Sequence, residues 1–408
     1  MARGFRLSEV ADESRELRAF VPALILLTIL AFINYVDRSN LSTAAPLLKD
    51  ELHINASELG VLPSAFFWTY TAMQFVSGWL VDRLDANHVI AAGFLLWSLA
   101  TAATGLVQGF TILLAMRLLV GAGESVMAPA FSKIFRSNLA EDKRGFANGV
   151  WQGALRFGPA VGTLGVGFLI TNYGWRPAFI GLGLISLAWI PAWIKWMPRR
   201  EAVRSVTFDA PDFGEILRQR SFWGACGGHC SNLYLLYFML TFLPFYLVHE
   251  RHLSMQSMVK IAAGYYMIDA LSALATGWLA DFFIQRGHSP TLVRKSAMAA
   301  GHLIAAAAVI GFAIADSHWY FFCLVAIAIG EGAAGAGVFA FSQTFAGPYA
   351  AGRWAGLQNG FANLACIAAP ALTGFLADRT GAFFGATRNH CDCTCRWRTL
   401  LGFCGWRN

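Results

Sequence analysis

Apolar residues fill this chain in long runs, each broken by a short cluster of polar residues, proline or glycine. A helix needs about 20 apolar residues to cross the hydrocarbon layer of a bilayer, and runs of that kind lie near 20–45, 57–81, 88–107, 109–134, 145–171 and 175–197. A polar stretch from Pro198 to Arg220 then intervenes, carrying Arg199, Arg200, Arg204, Arg218 and Arg220. Further runs follow near 221–248, 257–285, 292–315, 317–343 and 353–377. The pattern predicts an all-α polytopic membrane protein with eleven spans, six before a linker and five after it.

Composition sharpens this. The 408 residues are 56% hydrophobic and 13% charged, against roughly 45–50% and 25% in soluble proteins. The net charge of +7 does not point to nucleic acid, because the bases fall between the apolar runs. They gather in the N-terminal tail (Arg3, Arg6, Arg15, Arg18), the 133–144 loop (Lys133, Arg136, Lys143, Arg144), the linker and the 286–295 loop (Arg286, Arg294, Lys295). These are alternate loops, so the positive-inside rule makes them and the N-terminus cytoplasmic. The loops near 50, 108, 173, 250 and 316 carry few bases, and the first is acidic with Asp50, Glu51 and Glu58. No short apolar core with a small-residue cleavage site follows the tail, which reads as a tail and not a signal peptide. Cys226, Cys230, Cys323 and Cys366 sit in apolar runs, while Cys391, Cys393, Cys395 and Cys404 crowd the end, so no disulfide framework follows.

An internal repeat adds function to topology: GWLVDR at 78–83, GFLITN at 167–172, GWLADF at 277–282 and GFLADR at 374–379 each close the second helix of a three-helix unit. Three-helix repeats in two halves are the organisation of secondary transporters, with substrate bound near the midplane between the halves.

With that spacing, the Gly78-x-x-x-Asp82-Arg83 turn and its partial echo Gly277-x-x-x-Asp281 resemble the major facilitator superfamily. That resemblance implies a fold of 6+6 helices, here about eleven, and a gating role for Gly78, Asp82, Arg83, Gly277 and Asp281. One departure is Asp85-Ala86-Asn87, where the superfamily usually places basic residues. NYVDRSNLSTAAP (34–46), RLLVGAGESVMAPAF (117–131), ANGVWQGALRFGPAVG (147–162), LTFLPFYL (240–247) and LQNGFANLACIAAPALTGFLAD (357–378) are similar to the anion:cation symporters, a family of organic-anion permeases.

Ionisable side chains at bilayer depth are costly and need a partner or a purpose. Asp37 and Arg38 are adjacent on the first helix and so about 100° apart; they form either a neutralising pair or a functional one. In the functional reading Arg38 offers a planar fork of donors to a substrate carboxylate, and Asp37 is a proton carrier or gate. Arg117 and Glu124 lie seven residues apart on one face of the fourth helix, with Gly121, Ala122 and Gly123 between them. Burial and a neighbouring arginine pull a carboxyl's proton affinity in opposite directions. Glu124 is therefore a candidate proton-coupling group, the alternative being a structural ion pair. The family resemblance implies that Arg38 meets substrate, Asp37 and Glu124 carry protons, and Arg117 tunes the glutamate.

Gln152 and Arg156 share a face of the fifth helix, and Arg156 is either a second anion contact or a snorkelling residue. Tyr35, Tyr70 and Gln74 are further candidate donors to substrate. In the second half Asn232, Tyr234, Tyr237, Asn359 and Asn363 are placed to close over a substrate, while Asp269 and Glu331 have no obvious partner. Fixed positive charge in one half and hydrogen-bonding groups in the other suit a polyhydroxylated or aromatic carboxylate.

No P-loop, H-E-x-x-H or G-x-S-x-G occurs in a credible context, so neither ATP hydrolysis nor an enzyme activity is expected. No metal is expected either, the Cys391-x-Cys393-x-Cys395 spacing being tighter than zinc sites use, and no cofactor beyond a proton gradient. The expected protein is a proton-coupled symporter of a small organic anion, a multi-pass protein of the inner (plasma) membrane, working as a monomer with no nucleic-acid partner. A facilitator or exchanger, a transporter-like sensor and an inactive truncated carrier are the alternatives; the linker is too short to house a sensor's output domain. The expected organisation is a tail (1–19), a six-helix half (20–197), a linker (198–220), a five-helix half (221–384) and an atypical segment (385–408). In that last segment the repeat calls for a twelfth apolar helix, but the residues are rich in Cys and Arg, the change of composition a reading-frame shift would produce.

Overall fold

The computed structural model describes residues 2–197, 211–314 and 319–380, and within them the chain is helical with no β-strand. In order come α1 (Ala2–Glu51), α2 (Ala56–Arg83), α3 (Ala86–Thr104), α4 (Phe110–Glu124), α5 (Met127–Asn138), α6 (Arg144–Tyr173), α7 (Trp175–Ser186) and α8 (Trp189–Trp196). Then follow the short α9 (Phe213–Leu217), α10 (Arg220–Phe245), α11 (Met255–Gln285), α12 (Pro290–Ile314) and α13 (Tyr320–Thr380). A break at Ser125 and Val126 divides one apolar run into α4 and α5, and a second at Leu187 and Ala188 divides α7 from α8. The long α13 is two arms joined at Gly347, whose φ of +66° is open to glycine at little cost.

Eight helical segments of the described chain are long and apolar enough to cross a bilayer on composition alone. Helices α2 and α10 and the second arm of α13 pack among them, α2 against α4 and α13, and α10 against α13. Ring- and chain-rich side chains face outward along the bundle: Ile25 is 53% exposed, Leu164 69%, Ile185 74% and Leu303 70%. In water such a surface would aggregate; in lipid it is the solvated face.

The turns explain where the helices begin. Asn55 and Glu58 form a reciprocal capping box at the start of α2, satisfying two otherwise free N–H groups. Asp85, in the stretch that departs from the superfamily's basic pattern, caps α3 by accepting the Asn87 N–H at 2.8 Å. At the opposite end of the bundle, Arg176 Nε donates to Glu51 at 2.7 Å and Trp175 Nε1 donates to its other oxygen, tying α1 to α7. These hydrogen bonds, Arg176 first, hold the Glu51 carboxyl below its usual range. Residues 198–210 of the expected linker and the whole of 385–408 lie outside the described residues.

Candidate functional site

Two clusters of buried charge border a central cavity. The first is built by α1, α3 and α4. Asp37 and Arg38, neighbours in sequence, diverge as their helical angle requires. Asp37 turns toward α3 and accepts from Trp97 Nε1 at 3.1 Å and from Asn40 Nδ2 at 3.0 Å. Arg38 turns toward α4, where Nε donates to Glu124 Oε2 at 3.0 Å, and Nη1 reaches the Tyr237 hydroxyl at 3.4 Å. Its guanidinium lies among the rings of Tyr35, Phe66 and Tyr70, with Cζ 4.8, 5.0 and 4.8 Å from their centroids. Aromatic faces stabilise a desolvated cation without neutralising it, which leaves Arg38 able to meet an anion. Arg117 does not make the close pair with Glu124 that their shared face suggests. It is buried behind the cluster, its Nη2 donating to Thr104 at 3.3 Å, and acts on Glu124 and Asp37 through space.

The second cluster joins α6 to α11 and α13. Arg156 Nε donates to Asp269 at 2.6 Å, and Nη1 donates to the backbone and side-chain oxygens of Gln152 at 3.1 and 2.8 Å. Asp269 therefore has the partner that sequence spacing could not supply. Nearby, Tyr265 donates to the Glu331 carboxylate, and Asn232 Nδ2 donates to the Glu331 backbone carbonyl at 3.1 Å. Charges removed from water this completely persist because each is paired or hydrogen-bonded.

Both clusters border one partly open cavity. Of the ten candidate contacts, Tyr35, Arg38, Tyr70, Gln152, Arg156, Asn232, Tyr237, Asn359 and Asn363 all line it. Asn359 Nδ2 donates to the Tyr70 hydroxyl at 3.1 Å, and Asn363 Nδ2 donates to both oxygens of Asn359. Gln74 stands apart: it is fully buried where α2 crosses the second arm of α13, its backbone carbonyl against Gly356. A position one turn from Tyr70 on the same helix reached a helix crossing and not the cavity.

One end of the bundle is closed by two matching contacts. Asp82, at the end of α2, accepts the backbone N–H groups of Gly352 at 3.0 Å and Arg353 at 2.8 Å. Asp281, near the end of α11, accepts those of Gly145 at 2.9 Å and Phe146 at 2.7 Å, in the first turn of α6. A carboxylate against a helix start is favoured by free N–H groups and helix dipole together. Gly78 and Gly277 allow both approaches, since a Cβ on either would collide with the backbone of Gly352 or Gly145. Arg83, in the same turn, lies over Trp79 of its own helix, 4.5 Å from Cζ to the ring centroid. Lys133 Nζ at 3.2 Å and Arg353 Nε at 3.8 Å are the cations nearest the Asp82 carboxylate.

Residues 27–370 match the Major Facilitator Superfamily. The chain belongs to that family. It is a multi-pass membrane transporter and not an enzyme. Among its relatives, the hexuronate transporter of Bacillus subtilis is 29% identical over 381 residues, covering 90% of both chains. The probable galactarate/D-glucarate transporter GudP of the same organism is 26% identical over 419 residues, covering 95% of this chain and 91% of that one. The probable L-galactonate transporter of Escherichia coli is 28% identical over 393 residues, covering 92% and 86%. Among solved structures, the outward conformation of the major facilitator FucP superposes with a TM-score of 0.70 at 16% identity, covering 90% of this chain and 94% of that one.

Several residues of this major facilitator's cavity carried no signal in its sequence. Trp151 stacks on Phe339 with centroids 4.6 Å apart, and both line the cavity with His229 and Tyr266. Trp97, which positions Asp37, reads in the sequence as one more apolar residue of α3. Lys133 and Arg294 were visible only as loop bases; Arg294 in fact crosses from α12 to bind Glu141, the Ala340 carbonyl and Thr344.

Proposed function

We propose that this transporter carries a small organic anion, a sugar acid or aromatic carboxylate, together with protons, by rocking its two halves around the central cavity. The observation that carries the reading is the Arg38–Glu124 pair, in which a cation facing the cavity is held by a carboxylate that does not. An incoming substrate carboxylate competes with Glu124 for the same guanidinium. When Arg38 turns its charge to the substrate, Glu124 loses its counter-ion in a buried place and favours its neutral, protonated form. Substrate and proton thus load together. Asp37, in the same electrostatic field as Glu124 and Arg117, is the second proton site. The hydroxyl and amide groups of Tyr70, Tyr237, Asn359 and Asn363 on the cavity wall suit the hydroxyls of a sugar acid.

In this reading residues 20–197 and 221–384 are the moving halves, the Asp82 and Asp281 contacts close the cytoplasmic side, and the N-terminus is cytoplasmic in the inner membrane. The protein works as a monomer, and its driving force is the proton gradient. Three relatives, named as hexuronate, galactarate/D-glucarate and L-galactonate transporters, support the substrate class. Uptake of a panel of sugar acids and aromatic acids by reconstituted vesicles, with and without an inward proton gradient, tests it. Accumulation of at least one acid that depends on the gradient is expected; uptake of none, or uptake indifferent to the gradient, refutes the coupled reading.

A further inference from the structure

Among the described residues, Arg38 and Arg156 are the only Asp, Glu, Lys or Arg side chains on the wall of the central cavity. The carboxylates that neutralise them, Glu124 and Asp269, are fully buried and stand off the wall. Both arginines are used alike. Each commits Nε to its carboxylate, at 3.0 Å for Arg38 and 2.6 Å for Arg156, and each keeps a buried Nη2 with no hydrogen-bond partner. Tyr35, whose ring centroid is 4.8 Å from the Arg38 Cζ, lines the cavity with both.

An unmet donor on a buried guanidinium is unfavourable, and native structures rarely leave one without purpose. Nη2 of Arg156 packs against Gly335, where a Cβ would stand 2.5 Å from that nitrogen and make the guanidinium shift.

From these observations we infer that the cavity takes a dianion, one carboxylate at Arg38 and the other at Arg156. This rests on the organic-anion reading above and narrows it to dicarboxylates, such as a six-carbon sugar acid oxidised at both ends. Both carboxyl groups of such an acid are ionised at neutral pH, so each guanidinium receives one charge-assisted contact. The Arg156–Asp269 pair joins α6 to α11, so a substrate that draws Arg156 toward the cavity also loosens a contact between those helices. The relatives' names span singly and doubly charged acids, so selectivity resides in the site and not in the family.

The test is competition for transport by the full chain in vesicles, with D-glucarate, which has two carboxylates, against D-gluconate, which has one on the same carbon skeleton. The wild type is expected to half-saturate with D-glucarate at a concentration roughly 10- to 100-fold lower, as one added charged hydrogen-bonding contact gives. In the double variant R156Q/D269N, which removes the pair without stranding either charge, the preference falls to near parity. Gly335→Ala, which crowds Nη2 and keeps both charges, reduces the preference and serves as a second variant should the first not fold. Parity in the wild type, or a preference that survives in R156Q/D269N, overturns the dianion inference while leaving transport of single-charge acids intact. Transport of neither acid, nor of any other sugar or aromatic acid, overturns the underlying reading as well.

Discussion

The two charged clusters flanking the cavity are built from the same parts and differ in how the chain brings those parts together. On one side Arg38 of α1 meets Glu124 of α4, with Asp37 and Arg117 close behind. On the other, Arg156 of α6 meets Asp269 of α11, and Glu331 of α13 joins through Tyr265 and Asn232. The first cluster holds more ionisable groups in mutual reach and has an aromatic cage around its arginine. The second is a tighter ion pair that bridges helices far apart in sequence. In the proposed mechanism the contrast separates two tasks: loading protons with substrate, and linking substrate to the packing of one helix on another.

Substitutions that treat the clusters as equals break or sharpen that contrast. The largest effect is expected at Arg38→Lys, where a point charge replaces a planar fork that holds Glu124 and, in the proposed mechanism, a substrate carboxylate. Substrate binding should weaken by about 100-fold or more, read as the half-saturation of uptake; near-wild-type affinity would remove Arg38 from the site. Glu124→Gln should abolish proton-driven accumulation and retain exchange of labelled for unlabelled substrate, because exchange does not require return of an empty, deprotonated carrier.

Asp269→Asn acts on the second cluster and should read first as stability. It strands Arg156 in a buried place, a loss of roughly 3–5 kcal/mol, visible as a lower melting midpoint in detergent. Adding Arg156→Gln should recover much of that loss, since the unpaired charge is gone. At the closed end, Asp82→Asn should loosen the bundle more than Asp281→Asn, because only Asp82 also pairs with Lys133 and Arg353. Labelling of a cysteine placed at Ser342, buried near that end, should rise more in the first variant than in the second.

The smallest effect is expected at Glu51. Its folded carboxyl is held below the ordinary range, so its contribution is present above about pH 4.3 and is lost as pH falls through the lowered folded value. Arg176→Gln should therefore narrow the difference in melting midpoint between neutral and acidic buffer, by an amount within about 1 kcal/mol for so exposed a pair.

How much of this was legible in the sequence follows from the range over which each signal acts. Apolar runs of bilayer length predicted the helices, because the hydrocarbon layer imposes their length. Asp37, Arg38, Arg117 and Glu124 stood out because charge at bilayer depth is rare. Partners were legible only along one helix: spacing put Glu124 with Arg117, whereas the fold gives it Arg38 from another helix. For the same reason Asp269 had no visible partner, and Gln74 was grouped with Tyr70 although it sits where α2 crosses the second arm of α13, off the cavity wall. Trp97 and Trp151 gave no signal, since an indole that holds a carboxylate or floors a cavity has the same letter as one that packs against lipid.

The central claim is that substrate displaces Glu124 from Arg38 and so brings a proton with it. The most direct measurement is the luminal pH of vesicles containing the transporter and a trapped pH indicator, followed on addition of a transported sugar acid with no gradient imposed. The account predicts acidification of the lumen in step with uptake in the wild type, and no acidification in Glu124→Gln, which takes up labelled substrate only when unlabelled substrate is also trapped inside. Substrate entry with no change in luminal pH in the wild type, or equal acidification in the glutamine variant, would contradict it.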